Sequence, residues 1–158
     1  MTEKNKSNPG ITFPPPLIFV ILLGIGLLLD RYFSLRITDD SHSSLKTIGN
    51  ILFILYGLIT VPTVVQMIRH KTTFSTHGST TALLTAGFFS YSRNPLYVSL
   101  LIFLTAIAFY TNSLWLLFMV PVLLVSLDRL VIVREEKYLG EKFGDDYLQY
   151  KEKVRRWI

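Results

Sequence analysis

Polar and apolar positions alternate in blocks along this chain rather than residue by residue. Residues 1–12 are polar and are expected to form a disordered terminus. "FPPPLIFVILLGIGLLLD" follows from Phe13 to Asp30, with prolines where a helix start loses nothing by lacking an N–H. No small-residue cleavage site comes after it, so the pattern predicts an uncleaved helix over about 14–32. A second apolar block, "TIGNILFILYGLITVPTVVQMI", predicts a span over about 47–68. Pro62 inside it calls for a neighbour or a threonine hydroxyl to satisfy the carbonyl it frees. Two further blocks predict spans over about 96–111 and 114–133, joined only by "TNS" as a tight antiparallel hairpin. The first arm of that hairpin is short for a full crossing. The period and length of the blocks give an all-α integral membrane bundle of about four transmembrane helices, one domain over 13–158. A tail over 134–158 would add amphipathic helices broken at Gly144.

Composition agrees with the blocks. Half of the 158 residues are hydrophobic and 17% are charged, and the mean hydropathy is +0.41. A soluble globule of this length has too much surface to hide so many apolar side chains. The absence of cysteine excludes disulfides, thiolate metal sites and a cysteine nucleophile. His42, His70 and His77 have no metal-ligand spacing, so no metal is expected. The net charge of +5 sits at the ends of apolar blocks, which suits lipid headgroups and topology rather than nucleic acid.

Lys and Arg also orient the chain. Arg69, Lys71 and Arg93 mark one polar segment and the tail is strongly basic, whereas "TNS" carries no charge. Four spans with both termini in the cytoplasm satisfy this bias. Arg93, Asn94, Arg134, Glu135 and Glu136 then share the cytoplasmic mouth of the hairpin. Two carboxylates beside an arginine can take an ammonium and a carboxylate together, the pairing that an amino-acid moiety presents. Taken singly, the arginines also suit interface anchors, the two glutamates a solvated helix face, and Asp128-Arg129 a local ion pair.

"LLTAGFFSYSRNPLYVS", through Leu83, Gly87, Phe89, Arg93, Asn94, Pro95 and Tyr97, resembles the signature of the membrane-embedded methyltransferases. These include isoprenylcysteine carboxyl methyltransferase and the phospholipid N-methyltransferases. "REEKYLGEKFGDDYLQYKEKV" matches that family's tail through Glu135, Glu136, Leu139, Phe143, Gly144, Tyr147, Tyr150 and Val154. Asn94 stands where carboxyl methyltransferases usually carry histidine. The resemblance implies S-adenosylmethionine as cofactor and a lipophilic or lipid-anchored acceptor arriving from the membrane lipids. It implies cofactor contacts from Gly87, Tyr91, Arg93, Asn94, Pro95, Tyr97, Glu135 and Glu136, with Glu136 and Arg134 as catalytic candidates and Arg134 orienting an acidic group. Two rivals are a reductase akin to the sterol reductases, using NADPH, and a non-catalytic membrane scaffold. The reductases usually add a cysteine-bearing acidic stretch and many more spans, neither of which is present here.

Overall fold

In the computed structural model, which describes residues 13–39, 43–70 and 82–158, the chain folds into helices α1 (Pro15–Tyr32), α2 (Ser43–Arg69), α3 (Pro95–Thr111), α4 (Leu114–Leu127), α5 (Val133–Phe143) and α6 (Asp145–Lys153). A 3₁₀ turn at Gly87–Ser90 precedes α3, and a π-helical turn at Asp128–Ile132 joins α4 to α5. The disordered terminus expected over residues 1–12, and most of the polar segment between α2 and the 3₁₀ turn, lie outside the described residues.

Proline starts both α1 and α3, at Pro15 and Pro95, where the fixed φ suits a first turn. The Asn112-Ser113 link closes the hairpin because Asn112 tolerates the left-handed conformation (φ 54°) and Ser113 caps α4 by accepting from the Leu116 amide. Among the described residues, three apolar helical stretches are long enough to cross a membrane: Pro15–Tyr32, Ser44–Arg69 and Leu114–Phe143. At 17 residues α3 is shorter, about 25 Å of helix, which agrees with the short first arm expected of the hairpin. Side chains such as Val20, Ile54, Leu58 and Val61 point outward and exposed along α1 and α2. Such a belt belongs against lipid hydrocarbon. The protein is an integral membrane protein.

Packing of α1 on α4 and of α2 on α3 encloses a core of Phe19, Leu104, Leu116, Leu123 and Leu127. Small residues permit the close approaches. Gly26 faces Leu116 and Met119, and a Cβ on Gly49 would come within 3.1 Å of the Ala106 carbonyl. Phe103 stacks between Phe19 and Tyr56, with centroids 5.3 and 4.4 Å away. α2 runs through Pro62 without a break, and the Thr63 hydroxyl donates to the Ile59 carbonyl. That is one carbonyl beyond the Leu58 oxygen that Pro62 frees, so the anticipated threonine rescue lands on the neighbouring group. Thr60 Oγ1 also donates to Ser99 Oγ, tying α2 to α3 by a hydroxyl pair at membrane depth.

At one end, Leu35, Arg36 and the Asn112 side chain join the α1–α2 connection to the hairpin link. At the other, Gln66 near the end of α2 meets Ala86 and Gly87. The helices therefore alternate in direction, and the start of α3 and the end of α4 meet at one mouth. The last span does not stop at residue 133. It continues through the π turn into α5, so Glu135 and Glu136 ride on the extension of a span rather than on a separate helix of the tail. Gly144 (φ 52°) then reverses the chain, and α6 returns toward the mouth.

Candidate functional site

The mouth is built from the signature turn, α5, α6 and the C-terminal segment. Its first layer is backbone. Arg93 N–H donates to the Arg155 carbonyl at 3.0 Å, and Asn94 Nδ2 and Ser92 Oγ donate to the Arg156 carbonyl at 2.9 and 3.4 Å. Ser92 Oγ accepts from the Asn94 amide, which shapes the turn before Pro95. Tyr150 adds a bond from its hydroxyl to the Phe89 carbonyl at 2.6 Å, and Tyr147, Tyr150 and Val154 pack with Leu83, Leu139 and Phe143. The tail thus lies across the signature rather than in solvent.

The second layer is ionic. Arg93 and Glu136 pair at 3.0 Å with side chains only 9% and 11% exposed. Arg156 grips the same carboxylate twice, at 2.9 and 2.8 Å, and reaches Asp128 at 3.0 Å. Lys151 stands 3.8 Å from Glu136. The hydrogen bond to Glu136, offset in part by burial, raises the Arg156 guanidinium above its already high range, so it stays cationic. Arg93 also donates to the Tyr147 hydroxyl at 3.4 Å. Burial, and then the charge of Glu136, raise that phenol above its usual range and keep it protonated.

Glu135 has different company. Its Oε1 accepts from the Tyr97 hydroxyl at 2.7 Å, and among the described residues no hydrogen bond reaches Oε2. A second uncommitted group is Arg93 Nε, which is buried without a hydrogen-bond partner among the described residues. A buried N–H of a guanidinium left unpaired costs free energy comparable to a lost charged hydrogen bond, so its occupant is of interest.

Arg93, Asn94, Pro95, Tyr97, Glu135 and Glu136 therefore converge as the sequence suggests. Gly87 adopts φ 62° at the start of the 3₁₀ turn, with Gln66 closing over it. Tyr91 is 76% exposed and takes no part in the buried cluster, and Arg134 lies exposed on α5. The expected Asp128-Arg129 pair is replaced by Asp128–Arg156, with Arg129 exposed. A straight α-helix would set positions 128 and 136 about 80° apart around its axis. The wider π turn narrows that gap, so that one guanidinium reaches both carboxylates.

Sequence reasoning missed Arg156, Asp128, Ser92 and Gln66. In the sequence Arg156 reads as one of the basic residues from Lys151 to Arg156 that complement the dipole of the last helix, and only the fold returns it to Glu136. An acid inside an apolar block, as Asp128 is, was the one available signal.

The sequence profile of the phospholipid methyltransferase family matches residues 45–146. The chain belongs to that family. Its match spans α2, the signature turn, the hairpin and α5, and ends before the C-terminal segment that closes the mouth. Membership brings methyl transfer as the family's general chemistry and a membrane setting that the helices already show. An "uncharacterized protein" of Haemophilus influenzae strain Rd is 46% identical over 65 residues, 40% of this chain and 100% of that relative. No solved structure matches this phospholipid methyltransferase family member.

Proposed function

We propose that the protein is an S-adenosylmethionine-dependent methyltransferase acting on a lipophilic acceptor, a lipid amine or a prenylcysteine-like carboxylate, at the cytoplasmic face of the membrane. The observations that carry this reading are Arg93 Nε, buried without a partner among the described residues, and Glu135, a carboxylate held through one oxygen by Tyr97. A guanidinium N–H suits a carboxylate and a carboxylate oxygen suits an ammonium, so the donor set fits the amino-acid end of the cofactor. The S-adenosylmethionine sulfonium, when bound, supplies an electrophilic methyl group.

The two glutamates divide the work. Glu136, spent on Arg93, Arg156 and Lys151, holds the arginine in place. Glu135, held by Tyr97, is the ammonium receptor. Asn94 and Pro95 fix the turn, and the tail shields the mouth from water. Methyl transfer to an acceptor needs chiefly in-line placement and a dry site, with little acid–base machinery. Arg134, exposed on α5, is our candidate for meeting an acidic headgroup.

Calorimetric titration of the detergent-purified protein with S-adenosylhomocysteine, and separately with NADPH, tests the reading. We expect heat from the first alone. Binding of NADPH alone would transfer the site to the reductase class, and binding of neither would favour a scaffold.

A further inference from the structure

Arg156 joins parts of the chain that are otherwise far apart. Its side chain bonds two carboxylates on the continuous helix, Asp128 on the π turn and Glu136 on α5. Its carbonyl accepts from the side chains of Ser92 and Asn94 on the signature turn. The residue before it binds the Arg93 amide, and Trp157 after it packs against the main core. An interfacial anchor would extend toward headgroups, whereas this guanidinium turns inward and is only 34% exposed. The π turn strengthens the point, because without it Asp128 and Glu136 would face different ways.

We propose that Arg156 is a positioning residue: it clamps the C-terminal segment onto the Arg93-Asn94-Pro95 turn and aims Glu136, and through Glu136 it sets Arg93 for its ligand. The consequence for cofactor affinity rests on the methyltransferase reading, but the clamp does not. Glu136 is shared among Arg93, Arg156 and Lys151, so losing Arg156 removes its two shortest bonds, leaves only Arg93 and the longer Lys151 contact to orient it, and lets Arg93 shift with it. Arg93 would then meet a ligand carboxylate from a spread of orientations, which weakens binding without removing any ligand contact.

The chain has no cysteine, so two introduced ones label uniquely. Spin labels at Ile158→Cys and Arg69→Cys, both exposed at the mouth end, report the tail position by pulsed electron resonance in detergent or nanodiscs. We expect one narrow distance for the otherwise unaltered protein and a broad, longer distribution for Arg156→Ala. Arg156→Lys, which can serve only one carboxylate well, should fall between them, and so should Asp128→Asn, which removes one arm and keeps the Glu136 bond. On the monodisperse folded fraction of each unlabelled variant, S-adenosylhomocysteine should bind roughly ten- to hundredfold more weakly in Arg156→Ala, with partial recovery in Arg156→Lys. An unchanged distance in Arg156→Ala overturns the clamp. A released tail with unchanged affinity overturns the positioning role. Should the unaltered protein bind no S-adenosylhomocysteine, the functional reading falls, and the distances alone decide whether Arg156 clamps the segment.

Discussion

At the hairpin link, Asn112 accepts from the amides of Ile37 and Thr38 at 3.1 Å and donates to the Thr38 carbonyl at 2.8 Å, while Trp115 donates to the Phe33 carbonyl. At the opposite mouth, Arg93, Glu136, Arg156 and Asp128 hold the chain by charge. Both ends tie segments distant in sequence, yet they spend different currency. Neutral amide bonds in a partly buried link contribute a modest net stabilisation with little desolvation to offset. Buried ion pairs bring a desolvation cost that nearly cancels their attraction, so as pure fastening they are a poor choice. At this mouth buried ion pairs surround Arg93 Nε, which lacks a partner among the described residues, and it is here that we propose a charged ligand binds.

The largest effect should come from breaking the centre of the charged end. Glu136→Gln leaves Arg93 and Arg156 facing each other with one carboxylate lost. Removing one partner of such a buried pair costs about 3–5 kcal/mol, and S-adenosylhomocysteine binding should vanish in the titration. The Glu135→Gln, Glu136→Gln double variant should bind no better. Normal binding in it would move the site elsewhere.

Tyr97→Phe sharpens the contrast between the two glutamates. It frees Glu135 Oε1 while leaving the arginine network untouched. Loss of a hydrogen bond to a charged group is worth about 1.5–3 kcal/mol, so cofactor affinity should fall roughly 10- to 100-fold with the tail distance unchanged. If Tyr97→Phe instead releases the tail, the division of labour between the glutamates is wrong.

Asn112→Ala tests the neutral end. Three hydrogen bonds and a tolerated left-handed residue are lost, about 2.5 kcal/mol even at the low end of each contribution. Thermal unfolding should begin earlier, while S-adenosylhomocysteine affinity of the folded protein stays the same. A fall in affinity would mean that the ends are coupled through the hairpin.

How much of this was readable beforehand follows the range of the interactions. The helices, their order and the Asn112-Ser113 reversal are local matters of hydropathy, proline and a tolerant asparagine, and the blocks show them directly. The convergence of Arg93 and Asn94 with Glu135 and Glu136 follows once "TNS" forces an antiparallel hairpin. The extension of the last span through Asp128–Ile132 was not readable, because a π turn has no hydropathy signature of its own. With it went the partner of Asp128 and the role of Arg156, which depend on a helix rotation and on a chain reversal at Gly144. Tyr91 was the opposite case: it belongs to the signature stretch, but its position just after the 3₁₀ turn directs it outward.

The mildest test lies at the rim of the mouth. Gly87 sits at φ 62°, and a Cβ there would come within 2.8 Å of Gln66 Oε1. Gly87→Ala thus meets two penalties of different origin, a left-handed backbone worth about 1 kcal/mol and a contact with the end of a flexible side chain. The second can be relieved by movement, at the expense of the bond from Gln66 Nε2 to the Ala86 carbonyl. Unfolding measurements on Gly87→Ala, Gln66→Ala and the pair should therefore be non-additive, the double variant losing about 1 kcal/mol less than the two single losses summed. Additivity would show that Gln66 already moves freely and that backbone conformation alone selects glycine at this turn. The tail should hold its distance in all three, since none of the bonds from Arg155 or Arg156 involves these residues.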